Sequence, residues 1–253
     1  MNLIILAAGS GKRLYPLTKD RPKSLLDMGD GSTLLDRQIQ KAIESESVNK
    51  VYIVVGYLQE LIDQAMSPYR DQIEIELIYN PYFDVSNAML SLWCAHYVLE
   101  DDDFFISNGD NIYKINLFDQ MSSATREGIK LAVSFKKSYD EDDMKVVLGD
   151  DHSILQVSKT VALTEAAADS VGLLMVKGSR QRAEFRQALL EAAKDREYFS
   201  AFWQQVFDFV VAKGQTIQPY EVSHGDWAEI DFHPDVELMR NALFANLPSA
   251  EQN

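Results

Sequence analysis

The chain is short of cysteine, of long apolar runs and of positive charge, and each shortage removes a class of protein. Cys94 is the single cysteine among 253 residues, so no intrachain disulfide can form, and the composition fits a reducing cytoplasm. It sits in an apolar stretch of helical spacing and reads as a small buried hydrophobe rather than a reactive thiol. No apolar stretch reaches the ~18–20 residues that cross a bilayer, so no membrane association is expected. The first apolar run, residues 3–8, has no basic residues ahead of it and does not read as a secretory signal. With 39 acidic against 24 basic residues the net charge is −15, which repels nucleic-acid phosphates, and no lysine or arginine stripe offsets it. Two glycine signatures are also missing. The spacing G-x-x-x-x-G-K-[ST] of a P-loop and the G-x-G-x-x-G of a dinucleotide fold do not occur in the first glycine loop.

What the chain does have is concentrated at its start. A β-prone run ends in Leu6-Ala7-Ala8-Gly9-Ser10-Gly11 and then two cations, Lys12 and Arg13, with Pro22-Lys23-Ser24 ten residues on. A buried strand that empties into a glycine loop delivers backbone N–H groups to a phosphate-bearing ligand. An ordinary strand-to-helix turn is the alternative for the glycines alone. With Arg21, the three other cations form a basic island in an acidic protein, which suits a small anion better than a polyanion.

A content of 46% hydrophobic and 25% charged residues suits one globular domain over 1–253. Short buried strands are predicted at 2–7, 50–55, 73–79, 103–107 and 130–135, with helices at 34–46, 58–66 and 88–99 between them. Ser32 or Thr33 can cap the first helix. This alternation implies a mostly parallel sheet with helices on both faces. Beyond residue 138 the pattern changes to a hairpin (145–148 and 154–157), a strand at 171–176, amphipathic helices at 183–193 and 198–213, and strands at 217–222 and 227–230. A closing helix is expected at 235–244 and a frayed tail after it. Apolar positions near Phe207, Phe209 and Val211 would permit a homodimer or belong to a core helix.

Ligands of open α/β sheets collect at the carboxyl ends of strands. Those ends carry the 9–13 loop, Gly56-Tyr57, Asn80-Pro81-Tyr82 and Ser107-Asn108-Gly109-Asp110-Asn111. Asp110 could hold Mg2+, which takes one or two carboxylates plus phosphate oxygens and water, or close an Asx-turn on itself. In Trp227-Ala228-Glu229-Ile230-Asp231 the two acids project to one side of a strand. There they either share a cation or form a solvated face.

The strings Leu6–Arg13 and Pro22–Lys23–Ser24, then V-V-G-Y (54–57), N-P-Y-F-D-V-S-N-A-M-L-S-L (80–92), S-N-G-D-N (107–111), V-S-K (157–159) and W-A-E-I-D (227–231), occur in order. Together they resemble the nucleotidyltransferases, and within them the small cytidylyltransferase branch that acts on phosphocholine and phosphonates. The resemblance covers roughly residues 1–240. It implies a Rossmann-like three-layer α/β/α (GT-A-like) fold with a mixed, mostly parallel central sheet, a nucleotide-binding half at about 1–135 and an acceptor-binding half at about 136–245. It also implies a reaction in which a phosphate or phosphonate oxygen of the acceptor attacks the α-phosphorus of CTP (or UTP) and expels pyrophosphate, with Mg2+ as cofactor.

Carried onto this chain, the resemblance makes Lys23, Arg13 and Lys12 catalytic and assigns the metal to Asp110 and Asp231, with Glu229 nearby. Leu6, Ala7, Ala8, Gly9, Ser10, Gly11, Gly56, Tyr57, Asn80 and Ser86 would bind the nucleotide. Asn87, Ser91, Lys159, Tyr198, Trp203, Trp227 and Glu229 would approach the acceptor. Trp203 is equally a core residue by its spacing, and Lys23 could be a surface lysine. The segment Tyr139-Asp140-Glu141-Asp142-Asp143-Met144-Lys145 departs from the aromatic-bearing hairpin of phosphocholine enzymes and implies a more polar acceptor, unless its acids form a solvated turn. Two other functions share these features: a sugar-1-phosphate uridylyltransferase, and a nucleotide-sensing or scaffold protein that has lost activity on the same fold.

Overall fold

Apolar residues with no polar partner on either side need cover on both faces, and this places β1 (Asn2–Leu6) at the centre of the molecule. Leu3 and Ile5 point into one core and Ile4 into the other. We describe residues 1–230, together with Pro234 and Val236, from a computed structural model. Asp231, most of the expected 235–244 helix and the tail lie outside the described residues.

α1 (Leu34–Ile43) follows β1 and starts at Thr33, which wins the capping role over Ser32. Asp36 N–H donates to Thr33 Oγ1 at 3.1 Å and Thr33 N–H donates to Asp36 Oδ2 at 2.8 Å, a reciprocal cap. β2 (Lys50–Val55), α2 (Gln59–Met66), β3 (Glu74–Tyr79), α3 (Ala88–Cys94), β4 (Phe104–Asn108), β5 (Asn111–Tyr113), α4 (Leu117–Ser123) and β6 (Gly128–Ser134) come next. Then come β7 (Lys145–Leu148), β8 (Ile154–Ser158), β9 (Ala168–Lys177), α5 (Ser179–Ala192), α6 (Val206–Ala212), β10 (Ile217–Glu221) and β11 (Trp227–Glu229). The main sheet runs β10-β6-β9-β4-β1-β2-β3, with the β7–β8 hairpin attached to β9. β1, β2, β3 and β4 are parallel neighbours, and β9 runs antiparallel between β4 and β6. One face carries α3, α5 and α6, the other α1, α2 and α4, giving the expected three layers.

Two expectations need correction. The helix at 198–213 breaks into two 3-10 turns, Arg196–Ser200 and Trp203–Gln205, before α6. Between the turns Ala201 and Phe202 are extended, because the Phe199 and Ala201 carbonyls accept hydrogen bonds from the Asn87 and Met89 amides at the start of α3. The unpaired N–H groups of a helix start outweigh the helical spacing of 198–213. Second, the strand at 227–230 does not extend the main sheet. It pairs antiparallel with β5 in a two-stranded sheet, Glu229 opposite Asn111. Of the two readings of Phe207, Phe209 and Val211, the core helix is the one the fold supports: Phe207 is fully buried, and Phe209 and Val211, partly buried, pack against the core. Cys94 is half-buried, and desolvation raises its thiol pKa, consistent with an inert role.

Candidate active site

The carboxyl ends of β1 and β4 and the tip of β9 frame an open cleft of about 1020 Å³. Its roof is the glycine loop. Ala7 N–H, bonded to Val54 O at 2.9 Å, is the last amide of the loop to join the sheet ladder, and the cleft is lined by 6–13 beyond it. Gly11 has φ +62°, which β-carbon-bearing residues rarely adopt. Thr18, fully buried, donates its hydroxyl to Gly11 O at 2.7 Å and locks the turn.

The floor holds an ion pair. Lys23, at the start of the 3-10 turn Lys23–Leu25, places Nζ 2.7 Å from Asp110 Oδ2. Their side chains are only 15% and 22% exposed, so water screens the pair weakly. Asp110 is aimed by its turn: Gly109 N–H donates to Leu6 O at 3.0 Å and Ile230 N–H donates to Asp110 O at 3.3 Å. Beneath it Gln38, from α1, donates to the Asn108 and Asn111 carbonyls at 2.9 Å each and accepts from Ser107. The Asx-turn alternative fails, since Asp110 Oδ1 is buried without a hydrogen-bond partner. Glu229 and Trp227 line the cleft beside it, and the Trp227 indole N–H is also unpartnered. Among the described residues no group of three or more acidic, histidine or cysteine side chains is poised for a metal.

Across the mouth, Lys12 meets Asp84 at 3.5 Å and Arg13 meets Asp142 at 3.7 Å. Both pairs are exposed and worth little in water, so an incoming polyanion can displace them. The far end is more strongly charged. Lys136 pairs with Asp169 at 2.5 Å and Asp143 at 3.1 Å, and Lys159 with Asp142 at 2.8 Å. Burial pushes the Asp169 carboxyl above the ordinary carboxylate value, with Lys136 offsetting only part of it. Burial works against the Lys136 ammonium too, but Asp169 and Asp143 outweigh it and raise its pKa. Asp143 is thus held in the wall by Lys136, while Asp140, Glu141 and Asp142 stay exposed, as in a solvated turn. Lys145, fully buried, donates to the carbonyls of Asp140, Glu141 and Asp143 and folds the run into the cleft wall.

The chain that builds this glycine loop and Lys–Asp pair matches the family model Nucleotidyl transferase over residues 2–145. The chain belongs to the nucleotidyl transferase family. Curated relatives of this nucleotidyltransferase include the CTP:phosphoglutamine cytidylyltransferase of Campylobacter jejuni, 28% identical over 94% of this chain and 98% of the relative. The 2-aminoethylphosphonate cytidylyltransferase of Lancefieldella rimae is 27% identical over 91% and 88%. Among solved structures, the CTP:phosphocholine cytidylyltransferase of Streptococcus pneumoniae superposes with a TM-score of 0.77 at 23% identity, over 96% of this chain and 98% of that one. That likeness supports the fold.

Of the residues singled out from sequence, Leu6 to Arg13, Lys23, Ser86, Asn87, Ser91, Asp110, Lys159, Trp203, Trp227 and Glu229 line the nucleotidyltransferase cleft. Four do not. Gly56 supports the loop from behind, where a β-carbon would stand 2.8 Å from Ala8 O and 2.5 Å from Phe83 Cβ. Tyr57 donates its N–H to Ala8 O and its hydroxyl to Lys19 O. Asn80, fully buried, donates to Ser91 Oγ at 3.1 Å and accepts from Tyr82 N–H, shaping the loop that presents Ser86 and Asn87. Tyr198, half-buried, packs edge-on to Phe209 at 5.0 Å against the core. Trp203 touches the cleft only at its edge: it is 1% exposed and donates its indole N–H to Asn108 Oδ1 at 2.8 Å. Asn87 caps α3, accepting from Ala88 N–H at 2.8 Å.

Sequence reasoning missed Lys136, Asp169, Ser24 and Gln204 in the cleft. Ser24 adjoins Lys23 in sequence and could have been found. Asp169 and Lys136 lie in stretches whose pairing only the sheet reveals, and Gln204 lay in what read as a helix.

The membership of the family makes the chain a nucleotidyltransferase. No helix among the described residues is long and apolar enough to cross a membrane.

Proposed function

We propose that this nucleotidyltransferase is a Mg2+-dependent cytidylyltransferase that couples CTP to a small phosphate monoester or phosphonate and releases pyrophosphate. The observation that carries the chemistry is the Lys23–Asp110 pair on the floor of a cleft roofed by the glycine loop. CTP in preference to UTP rests on the relatives matched over nearly the whole chain, which act with CTP by name. The 1–135 half would hold the nucleotide and the 136–245 half the acceptor.

The acceptor oxygen is anionic before it reacts, so no general base is needed and the work is positioning and charge neutralisation. A bond forms between that oxygen and the α-phosphorus while the bond from the α-phosphorus to the bridging oxygen breaks, and pyrophosphate carries away the electron pair. The loop amides with Lys12 and Arg13 would hold the departing phosphates. Lys23 would neutralise charge building on the α-phosphate. The unpartnered Asp110 Oδ1 suits a hard cation, so Asp110 would hold Mg2+ with Asp231, and Glu229 beside them. When bound, Mg2+ would supply charge neutralisation between the phosphates and these carboxylates.

The test is pyrophosphate release from CTP, UTP, ATP and GTP with Mg2+ against phosphocholine, phosphoethanolamine, 2-aminoethylphosphonate, glycerol phosphate and sugar-1-phosphates. Release with CTP and a non-sugar acceptor is expected. Release only with UTP and a sugar phosphate would replace this reading.

A further inference from the structure

One side chain at the end of β4 is held in place from the other half of the molecule. Asn108 is partly exposed and lines the cleft two residues before Asp110. The Trp203 indole, 1% exposed, donates its N–H to Asn108 Oδ1 at 2.8 Å. An indole N–H can only donate, so this bond decides which end of the amide is oxygen and sets Nδ2 at the opposite end. That nitrogen makes no hydrogen bond among the described residues and, unlike Asp110 Oδ1, is not closed off from solvent. The backbone is fixed as well, because Gln38 Nε2 donates to Asn108 O at 2.9 Å.

β9 makes room for the amide. Its pairing with β4 ends at Leu173 opposite Ser107, and its register against β6 shifts between Leu131 and Val133. Gly172 lies in that stretch with φ +73°, and a β-carbon on it would collide with Asn108 Nδ2 and stand 2.8 Å from Asn108 Cγ. Glycine alone suits both the conformation and the contact. Asn108 thus presents an N–H donor whose orientation is settled before any ligand arrives, the condition under which one hydrogen bond contributes most to positioning. Its place says what it meets. It ties the turn that carries Asp110 to Trp203 in the acceptor half. What every acceptor of the proposed reaction brings to that junction is a phosphate or phosphonate, one oxygen of which attacks while the others need partners. An uncharged donor suits one of those, since it attracts the oxygen without drawing the α-phosphate from Lys23.

We infer that Asn108 Nδ2 donates to a non-reacting oxygen of the acceptor's phosphate or phosphonate, turning another oxygen toward the α-phosphorus, and that Trp203 is a positioning residue acting through Asn108. This inference rests on the cytidylyltransferase reading for the placement of the acceptor.

Methylphosphonate carries the reacting group and little else. It is titrated into the full chain with Mg2+ and a non-hydrolysable CTP analogue and followed by NMR. The side-chain amide signals of Asn108, identified by their loss in Asn108→Asp, are expected to shift as the probe saturates. Asn108→Asp keeps an oxygen for the Trp203 indole but presents an anion in place of the N–H, and should bind the probe at least ~10-fold more weakly, the effect of one charge-assisted hydrogen bond. Trp203→Phe keeps an aromatic ring and releases the amide, and should weaken the probe by ~3-fold or more. Both variants should bind the CTP analogue as the wild type does. A structural role alone would weaken both ligands together and leave the Asn108 signals unmoved by the probe. Unmoved signals, no binding of methylphosphonate to the wild type, or binding by Asn108→Asp within ~3-fold of it overturns the inference. Pyrophosphate release measured in parallel separates the two readings. Shifted Asn108 signals without release from CTP sink the cytidylyltransferase reading alone, and release with unmoved signals sinks this inference alone.

Discussion

Replacing Lys23 by alanine removes one half of a partly buried ion pair, and the structure sets the size of two separate effects. At 2.7 Å and an effective dielectric of ~20, the pair's gross attraction is about 6 kcal/mol. Desolvation of two side chains that are 15% and 22% exposed offsets most of it. What the variant loses in stability is then the cost of leaving Asp110 with both oxygens short of partners, roughly 1–3 kcal/mol, or a fall in Tm of several degrees for a chain of this size. The effect on turnover is larger, because the charge on the α-phosphate grows in the transition state and no other described side chain on the floor brings an ammonium to it. A fall in kcat of at least ~100-fold is expected, equivalent to about 2.7 kcal/mol, with a smaller change in KM for CTP. Asp110→Ala should cost as much, and the double variant about as much as either alone if the two act as a unit. The assay is steady-state pyrophosphate release, with thermal melting run on the same samples. Turnover of Lys23→Ala within ~10-fold of wild type, in a folded protein, would refute the reasoning.

Gly11→Ala forces a β-carbon into a φ +62° turn, 3.0 Å from Lys23 Cβ and 3.1 Å from Thr18 Cγ2; a loss of ~1–2 kcal/mol in chemical denaturation is expected, together with weaker nucleotide binding by calorimetry. Asp119 takes hydrogen bonds from Ser45 Oγ at 2.7 Å and the Ser47 amide at 3.0 Å, and although burial opposes them these bonds hold its pKa below 3.8. Since the folded value is the lower one, its stabilisation is present above the unfolded pKa and disappears as pH falls through the folded one. Asp119→Asn should therefore be less stable than wild type by ~1–2 kcal/mol at pH 7, with the gap in denaturation midpoints closing as pH falls through and below the ordinary carboxylate range; a gap independent of pH would contradict the assignment. Cys94, half-buried with a raised thiol pKa, should react with a disulfide reagent at least ~10-fold more slowly than free cysteine at pH 8.

The alternating apolar runs identified the central strands and their order of appearance, because a strand buried on both faces leaves a short, continuous hydrophobic signature that local sequence alone determines. The glycine loop and Asp110 were legible for a similar reason: each follows such a strand end, and backbone geometry carries whatever follows it to the ligand edge; Lys23, far beyond β1 in sequence, was legible only through the family resemblance. Distances in space were not legible. That Gly56, Tyr57 and Asn80 brace the loop rather than line the cleft follows from packing against Ala8, Phe83 and Ser91. The break in the 198–213 segment depends on the needs of α3, more than a hundred residues away in sequence. The acid run 140–143 shows the division most clearly. Its composition is that of a solvated turn, and three of its acids do stay exposed; only the fold shows the buried Lys145 gathering three carbonyls beneath it and Asp143 meeting Lys136. Sequence by itself determined the elements and the chemistry available at their ends, since both depend on near neighbours. Tertiary structure alone decided which charges meet and which polar atoms stay unpaired, since burial and pairing belong to the folded whole.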